Sequence, residues 1–211
     1  MKVYDNDDEQ LQALQSWWAE NGKSLIWTIV LCFLGLAAWQ GWQAYVQHRT
    51  HQASLALQDI LNAHSPKDQR AAAQALIHDY PSTPYRALAG LILARNAFDT
   101  HDLDDAQAAL QGVIDRGTPP VFSQIARIRL AHLLIDRNQG AQALGVLAKI
   151  DDPAFGVQIA RTKGDAHRAM KAYALAIESY QEALQAALKD PDQQAQVMKL
   201  QILISQNKAH L

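Results

Sequence analysis

Gly164-Asp165-Ala166-His167-Arg168-Ala169-Met170-Lys171-Ala172-Tyr173-Ala174-Leu175-Ala176-Ile177-Glu178-Ser179-Tyr180-Gln181-Glu182-Ala183 reads as two helices joined by a short turn at Lys171–Tyr173. Four of its positions, Gly164, Ala176, Tyr180 and Ala183, stand at spacings of 12, 4 and 3. The same spacing occurs 33 residues earlier as Ala131, Ala143, Leu147 and Ile150. A further 37 residues back it occurs again as Ala94, Ala106, Leu110 and Val113. The spacing has a mechanical reason. A small residue on each helix lets two backbones approach, a larger one a turn later fills the gap, and the fourth packs against the next hairpin.

Working outward, Asp102–Asp105 and Asn138–Gly140 supply the equivalent turns. Breaks at Ser65-Pro66, Pro81–Pro84, Gly117–Pro120, Asn138–Gly140, Asp151–Pro153 and Asp190-Pro191 cut the chain after His51 into apolar helical stretches. None of these stretches alternates as a strand does. A degenerate hairpin is expected over Ala53–Tyr80, with Ala73, Ile77 and Tyr80 in the matching places, and a closing helix over Pro191–Gln206. The chain of 211 residues holds 36 Ala, 26 Leu and 23 Gln, all good helix formers. A period near 34 residues with this pattern resembles the tetratricopeptide family, and three repeats with caps are about the minimum for a stable stack. The expected fold is all-α: one N-terminal transmembrane helix followed by a tetratricopeptide-like solenoid of helical hairpins.

The first fifty residues are made differently. All five Trp lie between Trp17 and Trp42, and no Asp, Glu, Lys, Arg or His occurs between Lys23 and His48. A helix over Leu25–Val46 rises about 33 Å at about 1.5 Å per residue, enough to cross a hydrocarbon core of about 30 Å. Trp27 at one end, and Trp39, Trp42 and Tyr45 at the other, suit interfacial anchors. The acidic residues ahead of this stretch, and its length, oppose a cleaved signal peptide. Lys2 and Lys23 against Arg49 put the N-terminus in the cytoplasm. Residues 1–24 thus form a cytoplasmic segment, 25–46 a transmembrane helix, and 47–211 a periplasmic repeat domain. Leu11, Leu14, Trp17 and Trp18 form an apolar stripe, and Asn21-Gly22 is expected to end a short interfacial helix. Ala37 and Gly41, a small-xxx-small pair, are candidates for contact with another membrane helix.

A net charge of −2 leaves no excess of cations for phosphates, which excludes nucleic-acid binding. One cysteine, Cys32, excludes an internal disulfide and a cysteine-based metal site. His48 and His51 stand i, i+3 without further ligands nearby, and the Asp104-Asp105 and Asp151-Asp152 pairs suit helix caps. No phosphate loop, nucleophile elbow or metalloprotease motif occurs, so neither catalysis nor a metal or other cofactor is expected. Helical arrays bind partners instead, along the surface lined by the first helix of each hairpin. Counting from the small residues, the candidate groove positions are Arg95, Phe98 and Asp99 in the first repeat. Ile128, His132, Ile135 and Asp136 follow in the second, and Arg161, Asp165 and Arg168 in the third.

The whole layout resembles one family. An acidic start, Met1-Lys2-Val3-Tyr4-Asp5-Asn6-Asp7-Asp8-Glu9-Gln10, precedes Trp17-Trp18-Ala19-Glu20-Asn21-Gly22-Lys23, one span with Gly35 and Trp39, and the repeat domain. This is similar to the YfgM family of proteobacterial inner-membrane proteins, ancillary subunits of the SecYEG translocon. The repeats alone would match many scaffolds, and the second lacks the usual aromatic at Leu147. The resemblance implies a non-enzymatic protein that associates with SecYEG and with PpiD, a membrane-anchored periplasmic chaperone. It also implies a role in passing nascent secreted polypeptides to periplasmic chaperones. The alternative reading is a membrane-tethered scaffold of another cell-envelope or division complex.

Overall fold

The computed structural model describes residues 5–116, 119–190 and 193–210. The Met1–Tyr4 start, Gly117 and Thr118 of one predicted break, and Pro191 of another lie outside them. Helices α1 (Asp5–Asn62), α2 (Pro66–Asp79), α3 (Tyr85–Asp99), α4 (Leu103–Arg116) and α5 (Pro120–Asp136) come first. Then follow α6 (Gly140–Leu147), a 3-10 turn over Pro153–Phe155, α7 (Gly156–Ala169), α8 (Tyr173–Ala187) and α9 (Gln194–Lys208). No strand is present among the described residues. The chain divides into two compact units, through His51 and from Gln52.

In the first unit α1 carries the apolar run. It is the one helix among the described residues long and apolar enough to cross a membrane. Its large side chains face outward on every side, Trp27 and Phe33 at 67% and 69% exposure. Of the expected stripe, Leu11, Trp17 and Trp18 are likewise exposed, while the Leu14 side chain lies outside those described. The expected stop at Asn21-Gly22 is absent, because α1 runs through it. The Asn21 amide donates to the Trp17 carbonyl oxygen at 3.2 Å, and the Trp18 ring covers Gly22. Two weak helix formers cost about 1–2 kcal/mol together, less than the backbone hydrogen bonds a mid-helix break would expose.

The second unit is the hairpin array. α3 packs on α4, α5 on α6 and α7 on α8, each pair meeting the next, and α9 closes the stack on α8. Ala94, Ala106, Leu110, Val113, Ala131, Ala143, Leu147, Gly164, Ala176, Tyr180 and Ala183 are all buried, as the spacing requires. A β-carbon at Gly164 would drive into the Tyr180 ring. One at Gly140 would come within 2.7 Å of Met170 Cγ and 2.9 Å of the Ala166 carbonyl oxygen, so glycine there sets the approach of successive hairpins.

Each hairpin turn uses one residue at positive φ: His101 (62°), Asn138 (60°) and Lys171 (60°). Each lies seven residues after the small residue of its first helix. The amides that follow complete the same cap three times. Asp102 donates to Ala97 at 2.8 Å, Gln139 to Leu134 at 2.8 Å and Ala172 to His167 at 2.9 Å. These are Schellman caps, built here without glycine.

Two expectations shift in detail. Ile150 lies beyond the end of α6 and is only half-buried. Asp151-Asp152-Pro153 stops the helix: Asp152 Oδ1 caps the 3-10 turn at 2.9 Å, and Asp151 accepts from Gln124 at 2.7 Å. The early hairpin forms from the end of α1 and α2, with Ala53, Ile60 and Ala73 buried, yet Leu76 takes the deep place expected of Ile77. Ser65 caps α2 by accepting from the Asp68 amide, and Pro66 follows at the first helical position.

Candidate partner-binding groove

The first helices α3, α5 and α7 lie side by side, and on α3 and α5 the expected residues converge. Arg95, Phe98, His132 and Asp136 line one cavity of about 340 Å³, floored by Leu110 and Leu133. Phe98 stands 42% exposed at its mouth. Arg95 Nε donates to Asp99 Oδ2 at 2.7 Å, one helical turn on, which holds the guanidinium upright.

Arg129 completes the wall and was missed from sequence. Its signal was present, since Arg129, His132 and Asp136 stand i, i+3, i+7 on one stripe. The expected Ile128 and Ile135 instead pack half-buried against the core. The reason is rotational: each lies about 100° around α5 from a lining residue, which turns it toward the neighbouring helices.

His132 ties α5 to α7. The Thr162 hydroxyl donates to the Gln158 carbonyl oxygen at 2.7 Å, so at 3.3 Å from His132 it accepts from the imidazole Nε2–H. Partial withdrawal of the ring from water between α5 and α7 lowers the His132 pKa below its ordinary value. Asp165 and Asp136 oppose this shift and Arg161 adds to it. The side chain therefore enters the groove as a neutral imidazole near pH 7.

On α7 the expected residues are engaged in holding the repeat. Asp165 is 14% exposed and accepts from the Tyr180 hydroxyl at 2.7 Å, with Arg168 3.8 Å away. Burial and the Asp165 carboxylate push the Tyr180 pKa up, so the phenol stays protonated and donating. Arg161 is half-buried, and its Nε has no hydrogen-bond partner among the described residues. In the first unit, Ala37 and Gly41 lie exposed one turn apart, and a β-carbon on Gly41 would meet nothing within 4 Å. Among the described residues no three His, Cys, Asp or Glu side chains gather as a metal-holding group.

An apolar exposed helix and a hairpin array with an amphipathic groove define the class: a helical-repeat protein with a helix long and apolar enough to anchor it in a membrane. The family described as a tetratricopeptide repeat-like domain matches residues 15–205. The ancillary SecYEG translocon subunit of Escherichia coli (strain K12) is 30% identical, over 79% of this chain and 81% of its own. The protein of that name in Haemophilus influenzae is 26% identical, over 92% and 96%. Its counterpart in Neisseria gonorrhoeae is 24% identical, over 90% and 93%. No solved structure gives a significant match. The chain belongs to the YfgM family of ancillary SecYEG translocon subunits.

Proposed function

We propose that the chain is a non-catalytic ancillary subunit of the SecYEG translocon in the bacterial inner membrane. Residues 1–24 lie in the cytoplasm, 25–46 span the bilayer and 47–211 work in the periplasm. Together with a PpiD-like chaperone, the repeat domain receives newly translocated polypeptides and passes them to the periplasmic chaperone network. The observation that carries this reading is the amphipathic cavity between α3 and α5, where Phe98 and Leu133 meet Arg95, Arg129 and Asp136. Such a surface suits polypeptide segments, which present apolar and charged groups together. Tethering by the span raises the effective concentration of that surface at any partner in the same bilayer.

Site-specific photocrosslinking in membranes tests the proposal, with probes at Ala37, Arg95 and His132. The expected result is a translocon subunit captured from Ala37, and a chaperone or secreted precursor captured from the two groove positions. Capture of envelope or division proteins alone, at all three positions, would replace this reading with the tethered scaffold.

A further inference from the structure

A second cavity, of about 320 Å³, opens between α2, α3 and α4. It lies across α3 from the groove: Arg86, Gly90 and Leu93 line it, and at 3.6 residues per turn they stand opposite Arg95 and Asp99. Its floor is apolar, from Ile77, Leu93 and Val113. Its wall carries three arginines, Arg70, Arg86 and Arg116, one from each helix, against a single acid, Asp105.

The arginines differ in what they already hold. Arg70 is spoken for, with Nη1 3.1 Å from Asp105 Oδ2 and Nη2 3.8 Å from Asp102 Oδ2. Arg86 Nη1 donates to the Pro81 carbonyl oxygen at 3.4 Å, a long and weak bond. Arg116 is exposed at the end of α4 and forms no ion pair among the described residues. In the groove, by contrast, Arg95 is paired with Asp99, and Asp165 is held by Tyr180 and Arg168. Uncompensated cationic charge therefore gathers over an apolar floor on the α2–α4 face.

We propose that this cavity is a second docking site, taking an acidic segment of a partner protein in which an aliphatic side chain is flanked by carboxylates. The aliphatic group fills the space above Ile77, Leu93 and Val113. The carboxylates meet Arg86 and Arg116, whose planar forks bind such groups bidentately. A bare inorganic anion would leave the apolar floor wet, which favours a peptide. The site does not depend on the translocon assignment, and the two fail separately.

The test measures binding of a fluorescein-labelled Asp-Glu-Leu-Asp-Glu-Leu peptide to the full chain in phosphatidylcholine nanodiscs. Its Asn-Gln-Leu-Asn-Gln-Leu counterpart serves as the neutral probe. Gly112 lines the cavity, and a β-carbon there meets nothing within 4 Å, so Gly112→Leu introduces a side chain at the cavity without a clash at its β-carbon. The acidic peptide is expected to bind at least about tenfold tighter than the neutral one. Gly112→Leu, and separately Arg86→Glu with Arg116→Glu, are each expected to weaken it by about tenfold or more, with the array still folded by circular dichroism. Lys199→Glu with Lys208→Glu, the same charge change on α9, is expected to have no effect. Equal binding of the two peptides, or indifference to Gly112→Leu, would overturn the site. Release of the peptide by phosphatidylglycerol vesicles would overturn the protein partner in favour of lipid headgroups.

Discussion

Both units are rich in apolar residues, and they use them in opposite ways. Along the apolar run of α1 the bulky side chains, Trp27, Phe33, Leu34 and Trp39 among them, point outward in all directions with nothing of the protein over them. In the hairpin array the buried set is dominated by alanine, with Ala53, Ala73, Ala89, Ala97, Ala106, Ala126, Ala131, Ala143, Ala166 and Ala176 all fully buried. A helix surrounded by lipid meets one solvent all round and needs no apolar stripe. A helix in a stack meets other backbones, and small residues are what allow them near. An alanine adds only about 0.8 kcal/mol for its methyl group, so the array gains stability from many close contacts rather than a few large anchors.

The largest of the fully buried side chains in the array gives the largest expected effect. Tyr180 is fully buried against Gly164 and hydrogen-bonded to Asp165. Tyr180→Ala is expected to cost about 4 kcal/mol, read as a lowered urea midpoint by circular dichroism, while membrane association stays intact. The reverse dissociation comes from Leu34→Arg, near the middle of the apolar run. It is expected to cost about 3 kcal/mol of membrane insertion, read by alkaline extraction of membranes, and to leave the urea midpoint of the array unmoved. If either variant moved both readouts, the two units would not be energetically separate.

The smallest effect concerns the turns. Lys171 holds a left-handed backbone at φ 60° with no glycine to ease it. Lys171→Gly is expected to stabilise the array by about 0.5–1 kcal/mol, seen as a higher melting temperature. Asn138→Gly should gain less, because asparagine tolerates that region.

The hairpins were legible because close approach leaves a trace in single residues: only Gly164 fits under Tyr180, and its spacing to Ala176 repeats along the chain. The apolar run was legible for a similar reason, since a long stretch without charge marks one continuous apolar helix, which α1 forms. What the sequence hid was rotation by one residue. Leu76 against Ile77, and Arg129 against Ile128, differ by about 100° around a helix, and only the neighbouring helix decides which faces inward. The engagement of Asp165 by Tyr180 was hidden as well, because no local rule joins residues fifteen positions apart. Of the three left-handed turn residues, Asn138 and His101 belong to types enriched at positive φ, whereas Lys171 carries no such signal.

The short α6 gives the array a seam. It is eight residues long against 14 for α4 and 15 for α8, because Asp151-Asp152-Pro153 ends the second repeat early. The apolar core falls into three clusters, one on the end of α1 with α2 and α3, one running from α3 through α6 to Ala166 of α7, and one over α7 to α9. In a linear stack each element is supported only by its neighbours, so the weakest junction sets how far an opening can spread. A disturbance that melts one end of the array is expected to spread least readily across the junction of α6 with α7, where successive helices from α2 onward touch least.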